Sequence, residues 1–379
     1  MVDREGVAGL VLPQGRDRMT ADKIALVVGA TGIVGGNICE RLIADGGTVY
    51  GLARRPERAP AGVYPLAADL NDREGVARVI ASAGPITHLF QAAWTPAESE
   101  EDACEINARQ FRNVLDGLRV AGPTLQHVVL ITGVKHYLGP FKDFGRYLPD
   151  TPFLENTPRL PIPNFYYAQE DVLFEAARRD GFTWSVHRPN AVVGFAVGAL
   201  MNQGLTLACY AAICRETGRP FVFTGIAKQY EMLTEISDAR LVARQAAWAS
   251  TSPAAANLAF NTGNGDVFRW KRIWKVIADH FGVEVAPYAG EQRSLAAMMA
   301  DAGPVWRAMA EKYDLAEPDL SRLATWWHTD ADFGREVECI SDMGRARKAG
   351  FLDYQSSTDT FLDLFHRLER ERIIPRFAD

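Results

Sequence analysis

The feature that most constrains this chain is a glycine-punctuated turn between an apolar run and a helical pattern. KIALVV (residues 23–28) is rich in β-branched residues and ends at Gly29. Gly29, Gly32 and Gly35 follow at the spacing GATGIVG, and Val34, Ile38 and Leu42 then fall on one helical face. Gly29 permits the tight turn, Gly32 lets backbone approach a pyrophosphate, and Gly35 lets the helix pack closely on the strand. The helix N-terminus that follows favours phosphate charge. A glycine turn of no consequence would not need this strand before it and this helix after it. Residues Gly29, Thr31, Gly32, Ile33, Val34 and Gly35 are therefore expected to bind a dinucleotide.

The same strand-then-helix rhythm continues. TVYGLAR, VYPLAADL, THLFQAAW, HVVLITG and WSVHRPNAVVG read as strands two to six, with GVARVIASAG and residues 98–121 as helices between them. This predicts an α/β fold, a Rossmann-type, doubly wound parallel sheet. Residues 134–164, rich in Pro, Gly and aromatics, are too long a loop to be a mere connection and are expected to be functional. Helical patterns dominate after residue 200; in RWKRIWKVIADHFG, Trp270, Ile273, Ile277 and Phe281 share a face. The expected division is a dinucleotide-binding domain over 23–200, with 225–265 returning to it. A smaller, mostly helical substrate region over 201–224 and 266–379 closes over the sheet's carboxyl edge, where open α/β folds bind ligands.

Residues 1–22 read as a disordered leader, with Met19 a candidate natural start; the apolar patch from Val7 to Leu12 is too short for a signal peptide. The formal net charge of −6 leaves no bulk basic footprint for nucleic acid, and no apolar run approaches a membrane span. Five cysteines without CxxC spacing read as reduced thiols in a reducing compartment, taken as the cytoplasm, and the histidines show no metal-ligand spacing, so no metal is expected.

The end of the second strand selects among dinucleotides. An acid there would hold the ribose 2′-hydroxyl of NAD; this chain has Arg54 and Arg55, whose guanidinium groups suit a 2′-phosphate and hence NADPH. A solvated basic turn is the alternative. Asp69 and Leu70 end the third strand where a side chain can meet adenine, although Asp69 equally suits a turn or the start of a helix.

The reactive groups depart from the usual short-chain dehydrogenase pattern, a tyrosine with a lysine four residues on. The candidate helix reads NFYYAQED, so Glu170 follows Tyr166 and Asp171 follows Tyr167 at that spacing. A carboxylate there would raise a tyrosine pKa rather than lower it. A lysine occurs at the exit of strand five, in TGVKHYLGPF, where Lys135 can stand beside Tyr166 in space and support an oxyanion. A surface lysine and a core tyrosine are the plain alternatives.

At these residues the chain resembles the progesterone 5β-reductase and iridoid synthase family. THLFQAAW, TGVKHYLGPF, NFYYAQEDVLFE, WSVHRPNAVVGFA, AFNTGNGDVFRWKRIWKVIADHFG and the terminal ERIIP carry the likeness, which runs from about Lys23 onward. The resemblance implies an extended short-chain dehydrogenase that reduces the C=C bond of α,β-unsaturated carbonyls with NADPH. It implies Lys135 and Tyr166 as catalytic residues, Thr132, Pro189 and Asn190 on the cofactor side, and Trp94, Tyr137 and Phe141 near the pocket. This chain departs from the family at Gln91, Ala92 and Ala93, where a tyrosine-valine-threonine run is usual, and at Asn190, where glycine is frequent. The family's pocket residues do not align clearly around Trp326, Trp327 and His328.

The expected chemistry is hydride transfer to the β-carbon of a small apolar enone or enal, steroid or terpenoid, with Tyr166 and Lys135 holding the enolate oxygen. A carbonyl reductase, an NAD-dependent sugar-nucleotide epimerase or dehydratase, and a non-catalytic dinucleotide sensor are the rivals. The absent Tyr-x-x-x-Lys pair and the arginines oppose the epimerase; a sensor would not need Lys135 and Tyr166 together. The oligomeric state stays open, a homodimer being common among relatives of such a chain.

Overall fold

A computed structural model describes residues 23–377; the expected leader lies outside them. In chain order the first half contains β1 (Ile24–Val28), α1 (Ile33–Ala44), β2 (Thr48–Ala53), β3 (Tyr64–Ala67), α2 (Arg73–Ala81), β4 (His88–Gln91), α3 (Glu100–Ala121), β5 (His127–Ile131), α4 (Lys135–Leu138), α5 (Phe165–Asp180), β6 (Thr183–Pro189) and β7 (Val192–Val193). Then come α6 (Gln203–Thr217), α7 (Ala227–Glu231), β8 (Ser237–Asp238), α8 (Ala239–Ala249), β9 (Leu258–Thr262), α9 (Trp270–Phe281), α10 (Leu295–Met298), α11 (Ala302–Lys312), α12 (Trp326–Phe333), α13 (Gly344–Lys348) and α14 (Ser357–Arg370).

Seven parallel strands form one sheet in the order β3-β2-β1-β4-β5-β6-β9, the doubly wound Rossmann arrangement. β1 shows why both faces must be covered. Ala25 and Val27 point into one apolar cluster with Ile38 and Leu42 of α1 and Ala243 and Ala246 of α8. Leu26 and Val28 point into another with Val114 and Leu118 of α3 and Leu173 of α5. The strand order reverses between β1 and β4, and the crevice at their carboxyl ends is where such sheets bind ligands.

The expected sixth strand is shorter than its sequence suggested. It stops at Pro189, and Val192–Val193 pairs instead with Ser237–Asp238 as a separate two-stranded ribbon. Proline has no N–H to donate, and Asn190 turns the chain by accepting from the Ala191 N–H on its own side chain. Beyond the sheet, α6 is buried on nearly every side and packs against the apolar face of α9, where Trp270, Ile273, Trp274, Ile277 and Phe281 are all nearly inaccessible. Each such side chain contributes roughly 1.5–3 kcal/mol by burial. Among the described residues no helix is long and apolar enough to cross a membrane.

Candidate active site

The turn after β1 has the shape its glycines imply. Gly29 adopts φ +85°, and a Cβ on Gly35 would sit 2.1 Å from the Gly29 carbonyl oxygen, so neither position tolerates another residue without backbone movement. α1 starts at once, with Gly32 as its N-cap, no side-chain cap and no acid in its first turn. By contrast, α2, α3 and α5 are closed by the side chains of Asp72, Ser99 and Asn164. The open N–H groups of α1 are what a pyrophosphate would accept from. Thr31, Gly32, Ile33 and Val34 stand half-exposed around them. Arg54 and Arg55 are exposed at the end of β2, and neither forms an ion pair among the described residues. The residues present thus fit a dinucleotide carrying a 2′-phosphate.

Other expected cofactor residues divide. Asp69 accepts from the Asn71 backbone and side-chain N–H groups, a turn-closing role, while Leu70 packs partly into the core. Thr132 is tied by its N–H and hydroxyl to the His187 carbonyl, which fixes the exit of β5 against β6. The Pro189 carbonyl accepts from the Val134 N–H. Asn190 follows directly on Pro189 at the end of β6. Its amide is buried and spent on Ala191, Glu235 and the Cys339 carbonyl, so it braces the turn. Burial pushes the neighbouring Glu235 carboxyl up to about 7.

β5 and α5 bring Lys135 and Tyr166 to the same edge. The Lys135 Nζ lies 4.2 Å from the centre of the Phe165 ring and 5.8 Å from that of Tyr166. It donates at 2.6 Å to both oxygens of Glu100, the first residue of α3, and Glu100 also accepts from the Phe165 N–H at 2.8 Å. One carboxylate therefore binds the lysine and the start of α5 together. Burial lowers the Lys135 pKa, and Glu100 counters part of that shift. Burial, then Glu100, raises the Tyr166 pKa.

The Tyr166 hydroxyl faces Gly133; a Cβ there would lie 3.2 Å from it and 3.3 Å from the Pro189 carbonyl. The Tyr166 N–H bonds to Asn164, but the hydroxyl has no hydrogen-bond partner among the described residues. Its neighbour differs: the Tyr167 hydroxyl donates to the His136 carbonyl at 2.6 Å and accepts from the Leu160 N–H at 3.1 Å. Glu170 is turned away from Tyr166 toward Arg159 (2.9 Å) and Arg188 (3.3 Å). The carboxylate that acts on Tyr166 is Glu100, not the one four residues along the helix.

The expected pocket walls also separate. Trp94 stacks on Phe165 at 5.8 Å, the ring over which Lys135 lies. Phe141 is partly exposed and meets Trp327 and His328 of α12 edge-on, residues that sequence reasoning could not place. Tyr137 is corrected to a core residue. It is 1% exposed, stacks on Phe153 at 4.7 Å and donates to Asn261 at 2.7 Å. A shallow groove lined by His136, Arg159, Glu170, Trp184 and Arg188 includes neither Lys135 nor Tyr166.

Fold and turn define a Rossmann-type, short-chain-dehydrogenase-like protein. The UDP-glucose 4-epimerase of Thermotoga maritima, solved with UDP-glucose, superposes with a TM-score of 0.67 at 15% identity, covering 92% of this chain and 99% of that one; this likeness shows the fold alone. The chain belongs to the PRISE-like Rossmann-fold family, whose model matches residues 25–375. It is 39% identical to the 3-oxo-Δ(4,5)-steroid 5β-reductase of Arabidopsis thaliana, over 98% of each chain. It is also 39% identical to the (S)-8-oxocitronellyl enol synthase of Catharanthus roseus, over 93% of this chain and 92% of that one.

Proposed function

We propose that this chain uses NADPH to reduce the C=C bond of a small apolar α,β-unsaturated carbonyl compound. The observation that carries the reading is the Tyr166 hydroxyl. Among the described residues it is left without an internal partner, beside a lysine that Glu100 and Phe165 hold in place. The relative named for a 3-oxo-Δ(4,5)-steroid acts on a conjugated enone, and 5β-reduction saturates that double bond.

The Gly29–Gly35 turn holds the pyrophosphate, and Arg54 with Arg55 holds the 2′-phosphate. Once bound, NADPH supplies a hydride to the β-carbon. Tyr166 stays protonated because its pKa is raised, so it donates to the carbonyl oxygen as a neutral phenol. Lys135 adds positive potential as charge gathers on that oxygen in the enolate, and a proton from solvent added at the α-carbon completes the saturated carbonyl product. Glu100 positions Lys135 and, through the Phe165 N–H, the start of α5. Trp94 and the Phe141–Trp327–His328 group wall the substrate. We assign residues 23–200, with 225–265 returning to them, to the cofactor-binding part, and 201–224 and 266–379 to the substrate region. The five unpaired thiols fit a reducing compartment such as the cytoplasm.

The test is NADPH consumption with a small activated enone, with the product identified by NMR. A saturated ketone supports the reading; an allylic alcohol replaces it with carbonyl reduction; cofactor binding without turnover across a panel of enones and enals points to a sensor or an epimerase-like enzyme.

A further inference from the structure

His280 lies in the last turn of α9, and His366 and Glu369 stand three residues apart near the end of α14, on one face of that helix. The two helices pack together through Phe281 and Phe365, whose rings are 5.1 Å apart. This brings the His280 Nε2 to 2.9 Å from one oxygen of Glu369 and the His366 Nδ1 to 3.5 Å from the other. All three ligand atoms lie within 4.8 Å of one another. None of these residues takes part in the reaction proposed above.

We infer that this cluster is a binding site for one divalent transition-metal ion, with Zn²⁺ the best match. A tetrahedral zinc with ligands at about 2.1 Å sets its donor atoms about 3.4 Å apart. The separations from His280 and His366 to the two Glu369 oxygens, 2.9 and 3.5 Å, lie near that value, and the three donor atoms lie within 4.8 Å of one another, so the side chains need to close by up to about an ångström onto an ion. Two imidazoles and one carboxylate with remaining positions open to water suit Zn²⁺ and its first-row neighbours, not Mg²⁺ or Ca²⁺, which prefer all-oxygen shells. Water can reach those positions from the side of His366, whose side chain is 63% exposed, while His280 and Glu369 are held from within at 9% and 16%.

The surroundings also favour a cation. α9 ends at Phe281 and α14 at Arg370, so two helix C-termini point their partial negative charge toward the cluster. Of the nearby arginines on α14, Arg367 is already paired with Glu40 and Arg370 is exposed to solvent. A hydrogen bond alone would need one histidine. Here two rings, inclined at 66°, each turn a nitrogen to the same carboxylate. The ion would clamp α14 onto α9. Since α14 also packs on α6 and on the β7–β8 ribbon, it would stiffen the region over the substrate without entering the chemistry. Local spacing could not reveal the site, because its third ligand comes from another helix.

The test uses the untagged full chain, stripped with EDTA and titrated with ZnCl₂ by calorimetry, with MgCl₂ as a control. One Zn²⁺ should bind per chain and raise the thermal midpoint. His366→Ala, at an exposed position, should keep the fold and the NADPH oxidation rate but weaken Zn²⁺ by about tenfold or more; Glu369→Gln should weaken it likewise. Absence of saturable Zn²⁺ binding, or equally tight binding by both variants, overturns the assignment and leaves a hydrogen-bonded clamp.

Discussion

Helix α5 presents two unlike faces to the molecule, and its adjacent tyrosines, about 100° apart around the helix, show the difference. On the Tyr167 side most strong polar groups are matched, although the His136 Nδ1 and the Arg188 Nε are buried without a partner among the described residues. The hydroxyl bridges His136 and Leu160, Arg159 lies 5.0 Å over the ring, and Glu170 is shared by Arg159 and Arg188. On the Tyr166 side the hydroxyl is unmatched, and the Lys135–Glu100 pair beside it is aligned by contacts from α3 and Phe165. The Tyr166 hydroxyl, without a partner among the described residues and beside the Lys135–Glu100 pair, is the group that we propose meets a ligand.

Removing one hydroxyl at a time should split the two faces most sharply. Tyr166→Phe should lower kcat by about 10²–10³-fold, the cost of one oxyanion donor, with NADPH affinity and thermal midpoint close to wild type. Tyr167→Phe should do the reverse. It strands the Leu160 N–H and takes a donor from the His136 carbonyl, at about 1–3 kcal/mol for each buried group left unmatched, while kcat per folded molecule changes little. Equal loss of turnover in both variants would erase the distinction. Lys135→Met takes the next step, since it leaves Glu100 as an unpaired carboxylate and should cost up to about 3 kcal/mol of stability besides activity. Adding Glu100→Gln should return stability without turnover; denaturant midpoints beside kcat decide this.

The legibility of these faces follows from how local each signal is. The strand, glycine turn and helix of the cofactor site occupy one continuous stretch, so periodicity and spacing reveal them. Tyr166 and Tyr167 defeat periodicity because adjacent helix positions both border a buried face; only the hydrogen bonds around Tyr167 tell them apart. Glu100 hides in an acidic run, 98–102, that reads as a solvated helix start, and its partner arrives from strand five. Tyr137 sits beside Lys135 in sequence, yet the single turn of α4 points it to Asn261 and Phe153. Orientation of that kind is decided by packing, not by residue type.

Acid should attack the paired face. Burial, then Arg188, lowers the His136 pKa to about 3, well below the ordinary histidine value near 6.5. The folded state resists this proton and the unfolded state takes it up below pH 6.5, so stability falls as pH drops from 6.5 toward 3. The loss is about 2 kcal/mol between pH 7 and 5 for one such group. His127 and His187, lowered by burial to about 3 and about 4, add to the trend from within the sheet. The informative quantity is therefore a difference: urea midpoints at pH 7 and 5 for wild type and for His136→Asn. The variant should lose less on acidification, and parallel losses would remove His136 from this account.

Base should act on the other face, and more gently. The proposed mechanism needs a charged Lys135 and a protonated Tyr166. The first has its pKa lowered and the second raised, so as pH rises the lysine titrates first and sets the alkaline limb of kcat. Glu100 is what holds the lysine pKa up against burial. Glu100→Gln keeps an acceptor for the ammonium but removes the charge, so the limb should move to lower pH while kcat near neutrality falls only modestly. A limb that stays in place in Glu100→Gln, or that persists in Lys135→Met, would show that another group titrates there. A limb that moves as expected would tie the charge on Lys135 to a carboxylate from α3, and with it the readiness of the Tyr166 face.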